Sequence, residues 1–472
     1  MLNINHGKID HYAQQGVEYL YIVFKVLKKN GNFCTYQAEA QHIKTLLNRN
    51  ITTCDVHKLL EKTARSYPAN SSAVDEIYGF DRYFKVVLSE VNPSANHINA
   101  ILQLIAEQDF IELVYPAGKP VDASAGINFH HDPRQHGDGC NTEFITTDLI
   151  IPNFYQYQYY LSSPAYRTGN YKIGGIYVHG TWGTLGGGGS YVTILSHELS
   201  AWDTSHVNLP HERAFVQGAA NIDFHDTASV GVAAARFLPT ATMSGIVGIA
   251  YNARVAYAAW PIENIYNAYY QLDAGDVVQM GIQLIGGTET GCTADCYVPL
   301  EYNNAYYDII RALTDKGVHV IIAAGNGAIN LDHAAFNGKF NRNVRDSGAI
   351  YVGAIDPTTA RRASFSNYGS RIDSSSWGAY VVTTFYGSGN LFNYPNAWYI
   401  NNYGGTSSAN PIVAGAAASL SSIAKANNRS LPPRLLRQIF TETGTVFQNN
   451  DSLIIGTQPN LSAALSTFKT IS

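Results

Sequence analysis

The chain has 472 residues, enough for a large core and for more than one domain. Aliphatic, aromatic and cysteine residues make up 46% and charged residues only 14%, so the composition is globular and surface polarity must come mainly from Asn, Ser, Thr and the 32 tyrosines. A net charge of -5 speaks against the basic footprint of a nucleic-acid binder, and the absence of any run of about 18 apolar residues against a membrane-spanning helix.

The first residues, MLNINHGKIDHYAQQGVEYLYIVFKVLKKN, hold a short apolar piece with no basic segment before it, which is not the pattern of a secretory signal. Residues 80–91, FDRYFKVVLSEV, read as a strand. Residues 97–115 read as a helix and then a strand, because Ile98, Ile101, Ile105 and Ile111 recur near helical spacing before the pattern changes. A stretch rich in Gly, Asp, Pro and His follows at 117–143 and reads as a loop or linker. Its His130, His131 and His136 invite a metal reading, but no carboxylate or cysteine pair completes a set, and a solvated insertion is expected. GTLGGGGSY (183–191) precedes a strand and lacks a GK[ST] ending, so a flexible lead-in loop is expected and not a phosphate cradle.

Near residue 185 the rhythm changes. The apolar runs YVTIL (191–195), RVAYAAW (254–260), DVVQM (276–280), VHVIIAA (318–324) and GAIYVGA (348–354) alternate with segments of helical spacing at 261–275 and 301–317. Continuous apolar strands alternating with helices imply a parallel sheet buried on both faces, in a three-layer α/β domain. Ligands of such sheets bind beyond the carboxyl ends of the strands. The cysteines are odd in number, with Cys292 and Cys296 as a C-x-x-x-C pair. A local disulfide or two free thiols is expected there, not a metal site.

Three residues admit both a structural and a chemical reading. Asn326 follows the strand VHVIIAA directly, as a turn residue or as an amide donor for an oxyanion. His225 opens a small-residue helix over 227–235, as a surface or satisfied core histidine or as a general base. Ser407, in NNYGGTSSANPIVAGAAASL, fits either a helix cap or a nucleophile at a helix N-terminus.

Together these segments resemble the subtilisin-like serine proteases. GTSSANPIVAGAAAS looks like the family's serine signature, G-T-S-x-A-x-P-x-V-A-G. HDTASVGVAA resembles its histidine segment, VIIAAGNG its asparagine segment, and ASFSNYGSRID the stretch after that. DVVQMGIQ (276–283) stands in the place of the cleft strand D-V-I-N-M-S-L-G. The resemblance covers roughly residues 185–465 in the family's order. It implies an α/β fold with a mostly parallel central sheet. It also implies that HINAILQLIAEQDFIELVYPAGKP ends a propeptide-like α+β domain over 1–118, followed by a linker and lead-in at 119–184 and a peptidase domain at 185–472.

The family's acid motif, D-[ST]-G, is absent. Some bacterial members carry a glutamate shortly before a tryptophan, which makes Glu198, ahead of Trp202, the expected acid and Asp203 the second candidate. Asp226 stands where the family has glycine and puts a carboxylate beside the base. The resemblance thus implies a serine endopeptidase with Glu198, His225 and Ser407 as triad and Asn326 in the oxyanion hole. Gly281, Ile282 and Gln283 on one side, and Ala323, Ala324 and Gly325 on the other, would flank an extended peptide. No cofactor is expected. Structural calcium is compatible with the family, though no loop spacing points to it. The expected partners are peptide or protein substrates and the N-terminal region as an intramolecular inhibitor. The family is usually exported while the N-terminus is not signal-like, so the compartment stays open. The rival reading is a catalytically degenerate scaffold that binds peptides. An esterase is disfavoured because no G-x-S-x-G elbow surrounds Ser407.

Overall fold

In the computed structural model, residues 7–28, 36–51, 54–62, 71–90, 92–124, 151–238, 244–293, 295–447 and 455–471 are described. Cys34, Cys140 and the three loop histidines lie outside them.

The N-terminal unit contains β1 (Tyr19–Val26), α1 (Gln37–Asn50), β2 (Cys54–Lys58), α2 (Ser71–Tyr78), β3 (Tyr83–Leu88), α3 (Ala95–Ala106) and β4 (Ile111–Gly118). Its strands form an antiparallel sheet in the order β2-β3-β1-β4. Alternation along each strand sorts the two faces. Ile22, Phe24, Val26, Phe84, Val86 and Val114 join Ile98, Ile101 and Ile105 of α3 in a core of their own. Val23, Tyr83, Tyr115 and Ala117 face the other way, into the core of the rest of the molecule. Lys25 and Lys85, on that second face, reach Asp308 at 2.8 Å and Glu263 at 2.6 Å.

After β5 (Pro120–Asp122), the tail of the N-terminal unit, the body is built from α4 (His179–Trp182), β6 (Thr193–Glu198), β7 (Val216–Gln217), α5 (Phe224–Ala234), β8 (Arg254–Ala259) and α6 (Ile262–Ala268). Then come β9 (Val277–Met280), β10 (Ile282–Ile285), β11 (Tyr297–Val298), α7 (Asn304–Asp315), β12 (His319–Ala323), β13 (Ile350–Asp356), β14 (Arg361–Arg362) and β15 (Ser374–Trp377). The chain closes with β16 (Val381–Phe385), β17 (Trp398–Tyr403), α8 (Thr406–Ala426), α9 (Pro433–Thr443) and α10 (Leu461–Thr470).

The main sheet runs β14-β13-β12-β9-β6-β8-β7, with β15 beside β13. Strands β6, β8, β9, β12 and β13 are parallel. Every residue of β6, β9 and β12 is buried, which explains the unbroken apolar runs. Helix α8 packs on β9, β12 and β13, α7 on β12 and α6 on β8. The small residues of α8 permit close approach: a Cβ on Gly415 would lie 2.7 Å from Cβ of Ile249. Chain direction across the sheet reverses at β6, which has β8 on one side and β9 on the other. The crevice at that reversal, beyond the carboxyl ends of the strands, is the natural ligand position.

Two segments differ from expectation. The glycines of GTLGGGGSY serve close packing: a Cβ on Gly187 would fall 1.9 Å from the Thr181 carbonyl oxygen, and one on Gly186 2.6 Å from that of Ser422. Phe154, Tyr160, Leu161, Ile176 and Val178, in the stretch read as linker and lead-in, are buried in the main core. Cys292 and Cys296 form a disulfide and Cys54 is a buried thiol. Among the described residues no helix is long and apolar enough to cross a membrane.

Candidate active site

After Gly118 the chain leaves the N-terminal sheet and enters the crevice as β5. Pro120, Val121 and Asp122 pair antiparallel with Leu284, Gln283 and Ile282 of β10. The ladder continues one residue further, where the Ala123 N–H donates to the Gly281 carbonyl at 3.1 Å. The Ala123 carbonyl then receives two donors, the Asn326 amide Nδ2 at 2.6 Å and the Ser407 backbone N–H at 3.0 Å. The stretch read as a loop thus lays an extended peptide across the site.

Asn326 is aimed by Thr406, whose N–H and hydroxyl donate to Asn326 Oδ1 at 3.0 and 2.9 Å. An oxygen that accepts from Thr406 leaves the NH₂ group to face Ala123. Ser407 is the second residue of α8, and the cap position is Gly405 with φ 97°. Ser407 is therefore no cap. Its backbone N–H is one of the free donors of a helix start, and its hydroxyl donates to the Gly281 carbonyl at 3.0 Å. Pro411 lies in the second turn of α8, which begins at Thr406. A proline there deprives the Ser407 carbonyl of its helical N–H, and the Tyr403 hydroxyl donates to that carbonyl at 3.3 Å instead.

The helix carrying the histidine starts at Phe224, three residues earlier than expected, because Asp223 caps it by accepting the His225 N–H at 2.9 Å. His225 is fully buried. Its Nδ1 lies 3.5 Å from Asp122 Oδ1 and 3.7 Å from Glu198 Oε2. Its Nε2 is 3.4 Å from the Tyr403 hydroxyl, itself 2.7 Å from Ser229 Oγ. Glu198, His225 and Ser407 thus share one cleft, but no hydrogen bond joins Ser407 to His225, since each has another partner.

Glu198 ends β6, fully buried, and its Oε1 accepts Gln279 Nε2 at 2.7 Å. Gln279 is held in turn by the Ser196 hydroxyl at 3.1 Å. A Cβ on Gly281 would stand 2.2 Å from that same Oε1. Two of the departures from D-V-I-N-M-S-L-G, glutamine for asparagine at 279 and glycine for serine at 281, therefore hold the Glu198 carboxylate and make room for it. Asp203, the second candidate, is occupied elsewhere: its Oδ1 accepts the N–H and hydroxyl of Ser205 at 2.8 and 2.6 Å. Asp226 is absorbed without breaking α5, with Oδ2 accepting the Ser200 N–H at 3.2 Å.

Burial sets the electrostatics. It pushes the Glu198 carboxyl up to about 7, opposed by His225 and reinforced by Asp122. Asp226 is raised by burial and then by Glu198, and Asp122 mainly by burial. For His225 burial disfavours the charge, but Asp122, Glu198 and Asp223 outweigh it and raise its value. Glu198 Oε2, Asp122 Oδ1 and His225 Nδ1 are all buried and lack hydrogen-bond partners. Among the described residues these three side chains are the group whose donor atoms lie close enough together to hold a metal ion, all within 4.8 Å.

One expected edge is missing. Gly281, Ile282 and Gln283 flank the peptide, but the Ala324 N–H donates to Val352, and the Ala324 and Gly325 carbonyls accept from Asn367. Ala323, within β12, is likewise committed to the sheet. The peptide is paired along a single edge. Sequence reasoning also missed Asp122, Ala123, Gln279, Thr406 and Tyr403. Only Gln279 carried a signal, as a departure from the family pattern beside the expected acid.

Residues 216–457, just over half of the chain, match the Subtilase family. The match takes in His225, Asn326 and Ser407, while Glu198 lies upstream of it. An extracellular protease of Xanthomonas campestris is 29% identical over 44% of this chain and 34% of its own length. A thermophilic serine proteinase of Bacillus sp. strain AK1 is 32% identical over 44% of this chain and 45% of its own. The chain thus spans less than half the length of these relatives. Fervidolysin from Fervidobacterium pennivorans, a keratinolytic enzyme related to subtilisin, shares the fold: TM-score 0.60 at 15% identity, over 97% of this chain and 62% of that one. The chain belongs to the subtilase family.

Proposed function

We propose that the protein is a serine endopeptidase that first cuts its own chain between Ala123 and Ser124. The observation that carries this reading is the Ala123 carbonyl, held between the Asn326 amide and the Ser407 N–H while its own strand is paired to β10. Two donors aimed at one carbonyl oxygen are what stabilises the oxyanion of an acyl transfer. Ser407 Oγ attacks the Ala123 carbonyl carbon after turning away from Gly281. His225 Nε2 takes the hydroxyl proton and returns it to the Ser124 nitrogen, and water then releases Ala123 from Ser407. Glu198 faces His225 Nδ1 and balances the imidazolium, a role supported by its burial and by the Gln279 and Gly281 accommodation. The N-terminal unit, docked on α6 and α7 with its tail in the cleft, acts as an intramolecular inhibitor. Peptides and proteins that lie extended along β10 are the substrates.

Incubated full-length protein is expected to yield a fragment beginning at Ser124, and a fluorophosphonate probe is expected to label the processed chain at Ser407. Ser407→Ala is expected to stay intact and unlabelled. A cut at another bond, or the same cut in Ser407→Ala, would refute the reading. The rival, a non-catalytic peptide-binding cleft, draws on the Ser407 hydroxyl being bonded to Gly281 instead of His225. It requires wild type and Ser407→Ala to behave alike.

A further inference from the structure

Gln283 is buried on β10, with its backbone opposite Val121. Its side chain does something the cleft strand D-V-I-N-M-S-L-G, which has glycine at this position, has no atoms to do. Nε2 donates to the Asp122 carbonyl at 3.1 Å, and Oε1 accepts the Asn326 backbone N–H at 2.7 Å. The amide orientation is forced, since a backbone N–H can only donate and so must meet the oxygen. One side chain therefore touches the peptide carbonyl just upstream of Ala123 and the backbone of the residue whose own amide meets the Ala123 carbonyl.

We infer that Gln283 is a substrate-positioning residue that reads the carbonyl one residue before the scissile one and ties it to the placement of Asn326. This deepens the peptidase reading above and rests on it. The backbone pairing of β10 fixes the strand only through N–H and C=O groups on its own edge. The Asp122 carbonyl is reached by the Gln283 side chain. A peptide offering no acceptor at that position leaves a buried amide N–H without a partner, a loss that falls on every extended substrate alike and not on particular side chains. The preferred substrate class is accordingly a peptide with at least one further acyl group upstream of the cleaved residue, of any side chain there.

The test is a cycle between enzyme and substrate. The processed protein is given a peptide with its own sequence, Pro-Val-Asp-Ala-Ser-Ala-Gly, and the same peptide with a thioamide sulfur replacing the aspartate carbonyl oxygen, a much weaker acceptor. Wild type is expected to lose roughly three- to tenfold in kcat/KM on the thioamide, the range of one hydrogen bond. Gln283→Met is expected to show a similar loss on the ordinary peptide and no further loss on the thioamide. Gln283→Gly, the family residue, serves if the methionine variant fails to fold, with the same expectation. A thioamide penalty of equal size in wild type and variant overturns the inference and leaves the peptidase reading standing. Failure of wild type to cleave either peptide overturns both.

Discussion

The N-terminal unit and the body are held together by a surface unlike the interior of either. Inside the body, α8 is buried from Thr406 to Ala424, mostly through small side chains. Across the docking face the apolar contacts of Val23, Tyr83, Tyr115 and Ala117 with the body's core are joined by charged and hydroxylic ones. Lys25 meets Asp308, which also accepts the Tyr83 hydroxyl at 2.8 Å, Lys85 meets Glu263, Lys339 meets Asp10, and the Tyr115 hydroxyl donates to Asn303 at 2.8 Å. The charges and hydroxyls of such a face can be rehydrated after separation, whereas a small-residue helix seam offers few groups to rehydrate. The difference fits the proposal that the N-terminal unit docks and leaves while the cleft stays.

Four measurements bear on that contrast. Gly281→Ser acts on the cleft alone. It sets a Cβ against the Glu198 carboxylate, and self-cleavage is expected to slow roughly 10⁴-fold, as when a triad acid no longer orients its histidine. A time course on gels reads it, and an unchanged rate would remove Glu198 from its role. Lys25→Met acts on the docking face alone. Stranding Asp308 costs about 3–5 kcal/mol of docking, so after the cut the N-terminal unit should separate from the body on gel filtration where the wild type stays associated. Co-elution of the variant would make the apolar part of that face the stronger hold.

Asn326→Ala comes next and is expected to slow cleavage about 10²- to 10³-fold with little change in melting temperature. Asp122→Asn is the mildest and spans both regions, because Asp122 belongs to the departing strand yet faces His225. Catalysis needs neutral His225, and a neighbouring carboxylate holds the proton on. With Asp122 ionised the rate of self-cleavage rises only as pH passes the raised His225 value, so removing its charge should move that rise to lower pH. A rise left in place would mean that Asp122 carries no charge beside His225.

What the sequence disclosed follows from what local patterns can encode. The parallel strands were legible because burial on both faces leaves unbroken apolar runs, as in VHVIIAA. Ser407, His225 and Asn326 were legible because each stands where an element begins or ends. Strand β5 was not, because three residues pairing with a distant edge have no periodicity of their own, and Pro-Val-Asp reads as loop. The bonding near the start of α8 was not legible either, because nothing local announces that the Tyr403 hydroxyl replaces the N–H that Pro411 lacks. The closeness of Gly281 to Glu198 joins β10 to the end of β6, a contact between residues 83 apart that only the folded sheet brings about.

Single-edge pairing of β5 has a kinetic consequence. On the peptidase reading proposed above, the edge of β10 that pairs with β5 is also the edge that substrates use, so the two compete one for one. While Ala123 is joined to the docked unit, its effective concentration at the cleft is in the millimolar range or above, and free peptides at ordinary concentrations lose that contest. Cutting the Ala123–Ser124 bond alone is not expected to end it, because the docking face would keep the new carboxyl terminus nearby. Activity should therefore appear after a lag that shortens as more already-freed enzyme is present to digest the departing unit, giving sigmoidal progress curves that dilution stretches.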